Sequence, residues 1–140
     1  MSGSTLTQRT PARRTRIRRA ATVAAVALAA LALWTLAGPV AGLDPSAETG
    51  GRTEPVGAIA VVAASLAAGL AAWALLALLE RTTGRPRRIW TIIALAVLTL
   101  SLAGPLGSVA DIASRCVLTG LHLLVAAVLI PGLASSVRDR

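Results

Sequence analysis

Long apolar runs divided by short charged segments constrain this chain more than any other feature. Four such runs, at about residues 20–40, 56–79, 89–106 and 112–133, take up most of its 140 residues. A helix rises 1.5 Å per residue, so about 20 residues cover the roughly 30 Å of a bilayer's hydrocarbon core. A soluble chain this short needs a polar face on every helix, and 55% apolar residues gathered into runs leave none. The pattern predicts an all-α fold: an integral membrane four-helix transmembrane bundle. Its parts are a disordered Arg-rich N-terminus (residues 1–19), a membrane domain (20–134) and a short tail (135–140).

The charges set the orientation. All 14 basic residues are arginine, against 6 acids, for a net +8. In a soluble protein that balance points to nucleic acid. Here the arginines flank apolar runs, where they set topology and meet anionic headgroups, so a lipid bilayer is the expected partner and nucleic acid is not. The N-terminus, the 80–88 segment and the C-terminus carry 6, 4 and 2 arginines, and the remaining segments hold only Arg52 and Arg115. The positive-inside rule then puts both termini in the cytoplasm of a multi-pass plasma (inner) membrane protein. Two processing signals compete with this reading. The pairs Arg13-Arg14 and Arg18-Arg19 suggest twin-arginine export, but Thr15-Arg16-Ile17 lacks the usual hydrophobic pair. Val40-Ala41-Gly42 offers small residues for signal cleavage, yet the apolar run before it is long for a signal core and Pro39 sits beside the site.

Between the runs, Gly42–Pro55 is expected to be a loop, from Asp44-Pro45-Ser46, Gly50-Gly51 and Glu54-Pro55. Its acids lack the regular ligand spacing of a calcium loop. In span two, Ala60, Ala64, Ala68 and Ala72 recur every fourth residue beside Ser65 and Gly69, a ridge for close helix packing in lipid. Trp34 and Trp90 are placed at opposite interfaces. Thr99 and Ser101 are expected to bond back to their own helix. Gly104-Pro105 should kink or end span three, and Pro131-Gly132 should end span four.

The candidate functional residues lie on the fourth run. Asp111, Arg115, Thr119 and His122 follow at spacings of 4, 4 and 3, which puts them on one face of a helix beginning near Val109. Titratable groups at or below a membrane surface need partners, so this stripe is the candidate site. Asp111 and Arg115 stand in the favourable order for an i,i+4 ion pair. His122, about 10 Å deeper, either bonds a neighbouring helix's hydroxyl or handles a proton or polar ligand in an outward-facing cleft. No catalytic, cofactor or metal set is legible. One His, one Cys and scattered acids fall short of a metal site. Cys116 lies about 600° of helix rotation from His122, so the two cannot form a nucleophile–base pair. An enzyme is not expected.

The segments Ser101-Leu-Ala-Gly-Pro-Leu106 and Leu121-His122-Leu-Leu-Val-Ala-Ala-Val-Leu-Ile-Pro131-Gly132 resemble a family of small four-span membrane proteins of unknown function from high-GC Gram-positive bacteria. The resemblance covers about Ala20 to Leu133 and implies a four-helix inner-membrane protein without implying an activity. The expected role is a structural or interaction component of the cell envelope, as a homo-oligomer or with other membrane proteins. The alternative is a small oligomeric transporter or proton-coupled carrier using the stripe.

Overall fold

The computed structural model describes residues 11–107 and 111–137. Four helices, α1 (Pro11–Thr35), α2 (Ala58–Thr82), α3 (Pro86–Gly107) and α4 (Ile112–Ala134), form an antiparallel bundle, each long and apolar enough to cross a membrane. A two-stranded hairpin, β1 (Ser46–Thr49) and β2 (Arg52–Pro55), caps one end. The opposite end holds the α2–α3 turn, both ends of the described chain and most of the described arginines. Large apolar side chains face outward along the helices, among them Ile59, Leu100 and Ile112, at 86%, 75% and 78% exposure. Side chains that water would reject lie on the outside, which is what a lipid environment requires.

Helix α1 starts at Pro11, so Arg13 to Arg19 are helical, where the sequence predicted a disordered tail to residue 19. Proline is favoured at a first helical position because its missing N–H has no intrahelical partner there. The arginines beyond it are then fixed by tertiary contacts described below. Residues 1–10 lie outside the described residues. At its other end α1 passes into a wide turn, Leu36–Val40. The Ala41 amide reaches back five residues to the Leu36 carbonyl (3.0 Å). Pro39 supplies no N–H and its ring crowds the carbonyl four residues earlier, so the turn widens.

The expected 42–55 loop is instead largely strand. Gly50 and Gly51 both have positive φ (+61° and +77°) and join paired strands, with Thr49 opposite Arg52 and Ser46 opposite Pro55. Two consecutive positive φ values fit a primed turn, whose twist matches that of the strands it connects. Neither Pro105, expected to kink or end its helix, nor Pro131, expected to end its own, stops the helix where it stands. Pro105 lies inside α3, which runs on to Gly107, and Pro131 lies inside α4, which continues to Ala134. In both cases the helix ends two or three residues later, so only its last turn is affected.

Helix α1 is the central packing partner, lying against both α2 and α4, while α3 rests mainly on α4. Two glycines make those approaches possible. A Cβ added at Gly69 would lie 2.9 Å from Val23 Cγ1, and one at Gly132 would lie 2.5 Å from Thr22 Cγ2. The small-residue ridge of α2 thus divides. Ser65, Gly69 and Ala72 are buried, while Ala60, Ala64 and Ala68 remain exposed. The core has two parts, one around Val26, Leu76, Trp90 and Leu133 and one around Ala30, Val61, Val117 and Leu121. Trp90, predicted at an interface, is 3% exposed and donates its indole N–H to the Ile130 carbonyl (3.4 Å). Trp34 ties α1 to the start of α2, donating to the Val56 carbonyl (2.6 Å).

Candidate functional site

The four stripe residues share a helix but do not converge. Asp111 is the N-cap of α4, which begins at Ile112 rather than near Val109; Val109 itself lies outside the described residues. Its carboxylate accepts from the Ser114 amide (2.7 Å) and the Ser114 hydroxyl (2.8 Å). Those two bonds, the amide's the stronger, hold the carboxyl below its ordinary value. Capping an open helix end with an acid also places negative charge where unpaired amides favour it. The predicted ion pair with Arg115 is absent among the described residues, where Arg19–Glu80 is the salt bridge found. Arg115 is exposed. Competition explains the outcome, because the nearer amide of Ser114 claims the carboxylate first.

Ser114 is a junction that the periodicity of the run did not reveal. It is 1% exposed, and its hydroxyl accepts from the Ser46 amide (3.0 Å) while facing the Asp111 carboxylate and the Asp44 carbonyl (3.4 Å). One serine therefore ties the hairpin to the start of α4. The Asp-x-x-Ser spacing carries a capping signal, but its link to Asp44 and Ser46 joins positions about 70 residues apart and has no local trace.

Deeper in α4, the Thr119 hydroxyl is buried without a hydrogen-bond partner. His122 is half-buried, with Nδ1 2.8 Å from the Leu118 carbonyl of its own helix. A carbonyl only accepts, so Nδ1 carries the proton in that bond and Nε2 is the ring nitrogen left for another partner. The predicted bond to a neighbouring helix's hydroxyl is replaced by this one, which closes within a single turn.

His122 lines a lateral groove of about 620 Å³ between α2 and α3 with α4 as its floor. Ala60, Ala64 and Ala68 form one wall, Val97 and Leu98 the other, and Ser65, Ser101 and His122 are its polar points. The Ser101 hydroxyl is spent on the Leu98 carbonyl (2.9 Å), as Thr99 is on Leu95 (2.9 Å). No charged side chain lines the groove. Among the described residues no three His, Cys, Asp or Glu side chains gather as a metal site.

At the arginine-rich end, Arg19 is 5% exposed and joins three segments. It donates to Glu80 on α2 (2.5 Å) and to Ser136 after α4 (2.9 Å), while Arg18 beside it donates to Ser135 (3.2 Å). A buried guanidinium is tolerated only with its donors engaged, and here a carboxylate and a hydroxyl engage them.

The fold and these sites define a small bundle of four helices, each long and apolar enough to cross a membrane, with a lateral apolar groove. Residues 10–139 match a family of unknown function (DUF6069), to which the chain belongs. The match extends beyond the 20–133 segment that carries the sequence resemblance, and includes the arginine-rich start of α1. No curated protein and no solved structure matches the chain.

Proposed function

We propose that this is a non-enzymatic, multi-pass protein of the plasma membrane, with both termini cytoplasmic, that acts as a structural or interaction component of the envelope. The observation that supports this role is the groove between α2 and α3. Its α2 wall is a row of exposed alanines, Ala60, Ala64 and Ala68, at the four-residue spacing that lets a second helix approach closely. Where helices associate in lipid, close packing of small residues replaces the hydrophobic drive available in water. The groove is the part of the bundle where that packing is left open.

Site-directed crosslinking in native membranes tests the reading. With Cys116 replaced by Ser, a cysteine at Ala64 should form crosslinked adducts of defined size with a short bis-maleimide. The same cysteine at Leu100, on the outer face of α3, should not. Equal, diffuse reaction at both positions would defeat the association reading.

A carrier is the second reading, and His122 favours it because the ring lines the groove with Nε2 uncommitted. In liposomes loaded with a pH-sensitive dye, a proton-coupled carrier would dissipate an imposed gradient, and His122→Leu would abolish that leak while leaving the fold intact. The association role predicts no leak in either protein.

A further inference from the structure

The arginine-rich end holds a second cavity that the role above does not use. A cleft of about 1310 Å³ lies between the first turns of α1 and the α2–α3 turn, and Arg16, Arg19, Arg85, Arg87 and Arg88 line it. Among the described residues Glu80 is the single acid on its wall, and its carboxylate is already bound to Arg19. Arg16, Arg85, Arg87 and Arg88 are exposed, and their guanidinium groups make no hydrogen bond or ion pair among the described residues. Four uncompensated guanidinium groups therefore surround one space. Their summed field and their free donors favour an anion in that space.

We propose that this cleft binds the headgroup of an anionic phospholipid. A phosphodiester matches the planar fork of a guanidinium with two parallel hydrogen bonds, which a lysine cannot reproduce. The position fits a lipid better than a soluble anion. The cleft opens where the apolar helices give way to charge, at headgroup depth, and basic pockets between helices at that depth recognise anionic lipids. Ile92 lies at its rim, and Leu95 follows three residues later on α3, both exposed. A lipid seated by its phosphate would lay an acyl chain along that strip, which a free phosphate could not occupy. The Arg19–Glu80 pair keeps the acid from opposing the ligand and joins α1 to α2 behind it. The proposal needs the helices to lie in a membrane but is independent of what, if anything, occupies the groove.

The test uses the full chain purified in a neutral detergent and titrated with phosphatidylglycerol, phosphatidylcholine or inorganic phosphate, with bound species counted by native mass spectrometry. One phosphatidylglycerol should be retained, with phosphatidylcholine and inorganic phosphate bound far more weakly. The triple variant Arg85→Gln, Arg87→Gln, Arg88→Gln should weaken that binding by about a hundredfold, from three charges near the surface. Removing the same number of charges outside the cleft, with Arg13→Gln, Arg14→Gln and Arg81→Gln, should change it by less than about threefold if the cleft, rather than overall charge, is the site. Equal loss in both variants, or equal retention of the two lipids, overturns the proposal. Binding of inorganic phosphate as tight as that of the lipid would show a phosphate site and overturn it too. Should the glutamine variant fail to fold, the Arg→Lys triple keeps the charge and must still bind at least about tenfold more weakly, through loss of the guanidinium fork. Carbonate extraction of cell membranes is run in parallel. Release of the wild-type chain there would remove the membrane reading itself, separately from any result on binding.

Discussion

Asp111 shows how a single residue's role turns on what lies nearest to it. Four-residue spacing puts it on the same face as Arg115, one turn away, but the amide and hydroxyl of Ser114 hold its carboxylate instead, and the expected pair becomes a cap. The consequence can be read from pH. Those bonds favour the charged form and lower the carboxyl from its ordinary 3.8. A group depressed in the folded state binds more protons when unfolded, so its stabilisation is complete above the unfolded value and is lost as pH falls through the folded one. Asp111→Ala should therefore lower the thermal midpoint of the detergent-solubilised protein by a constant amount between about pH 5 and pH 8. The gap between variant and wild type should close below about pH 4. A gap that widened towards acid would mean that the carboxylate is not the stabilising form. Arg115→Gln should leave the midpoint unchanged throughout, since its exposed guanidinium has no partner among the described residues.

At the level of elements, helix number and type were plain in the sequence because apolar length alone decides them, and the α2 and α4 boundaries fall within a few residues of expectation. The departures have two causes, contacts between segments far apart in sequence and local turn chemistry. The start of α1 was placed nine residues late, at Ala20 instead of Pro11. Arginine-rich sequence favours disorder until Arg19 finds Glu80 and Ser136, partners 61 and 117 positions away. The 42–55 hairpin was hidden because its breaker residues also mark loops; the pair Gly50-Gly51 was the usable signal. Of the candidate site, the placement of Arg115, Thr119 and His122 on one helix was legible, and the capping role of Asp111 and the partners of the others were not. The α2 ridge was legible as a packing surface, but which half packs internally depends on the position of α1. There the glycines give a test. Gly69→Ala and Gly132→Ala force a methyl against Val23 and Thr22, and each should destabilise by about 1–3 kcal/mol. Trimming the opposing side chain should restore most of the loss, since Val23→Ala and Thr22→Ala leave only a Cβ at 3.4 Å in either contact. Double-mutant cycles on thermal or denaturant unfolding in detergent would show that coupling, and strict additivity would contradict the α1-centred packing.

Taken whole, the molecule is polarised along the bundle axis. One end gathers Arg13 to Arg19, Arg81 to Arg88 and both termini of the described chain; the other holds the hairpin and the Asp111 cap. In a bilayer that asymmetry favours the arginine-rich end facing the cytoplasm, because translocating clustered arginines across an energised membrane is costly. The anionic lipids concentrated in that leaflet would then meet the basic cleft, so orientation and lipid binding reinforce one another. Cys116 reports on orientation directly. It is the chain's only cysteine, exposed, and four residues into α4 at the hairpin end. A membrane-impermeant maleimide applied to intact cells should modify it, to an extent comparable with a detergent-denatured control. Reaction confined to inside-out vesicles would invert the topology and place the arginines outside. The lipid cleft would then have to work in the other leaflet, where its ligand is scarcer. Silence on both sides until denaturation would mean that Cys116 is shielded within the assembled membrane. Since the isolated chain leaves that thiol exposed, such shielding would point to lipid or a partner covering the start of α4.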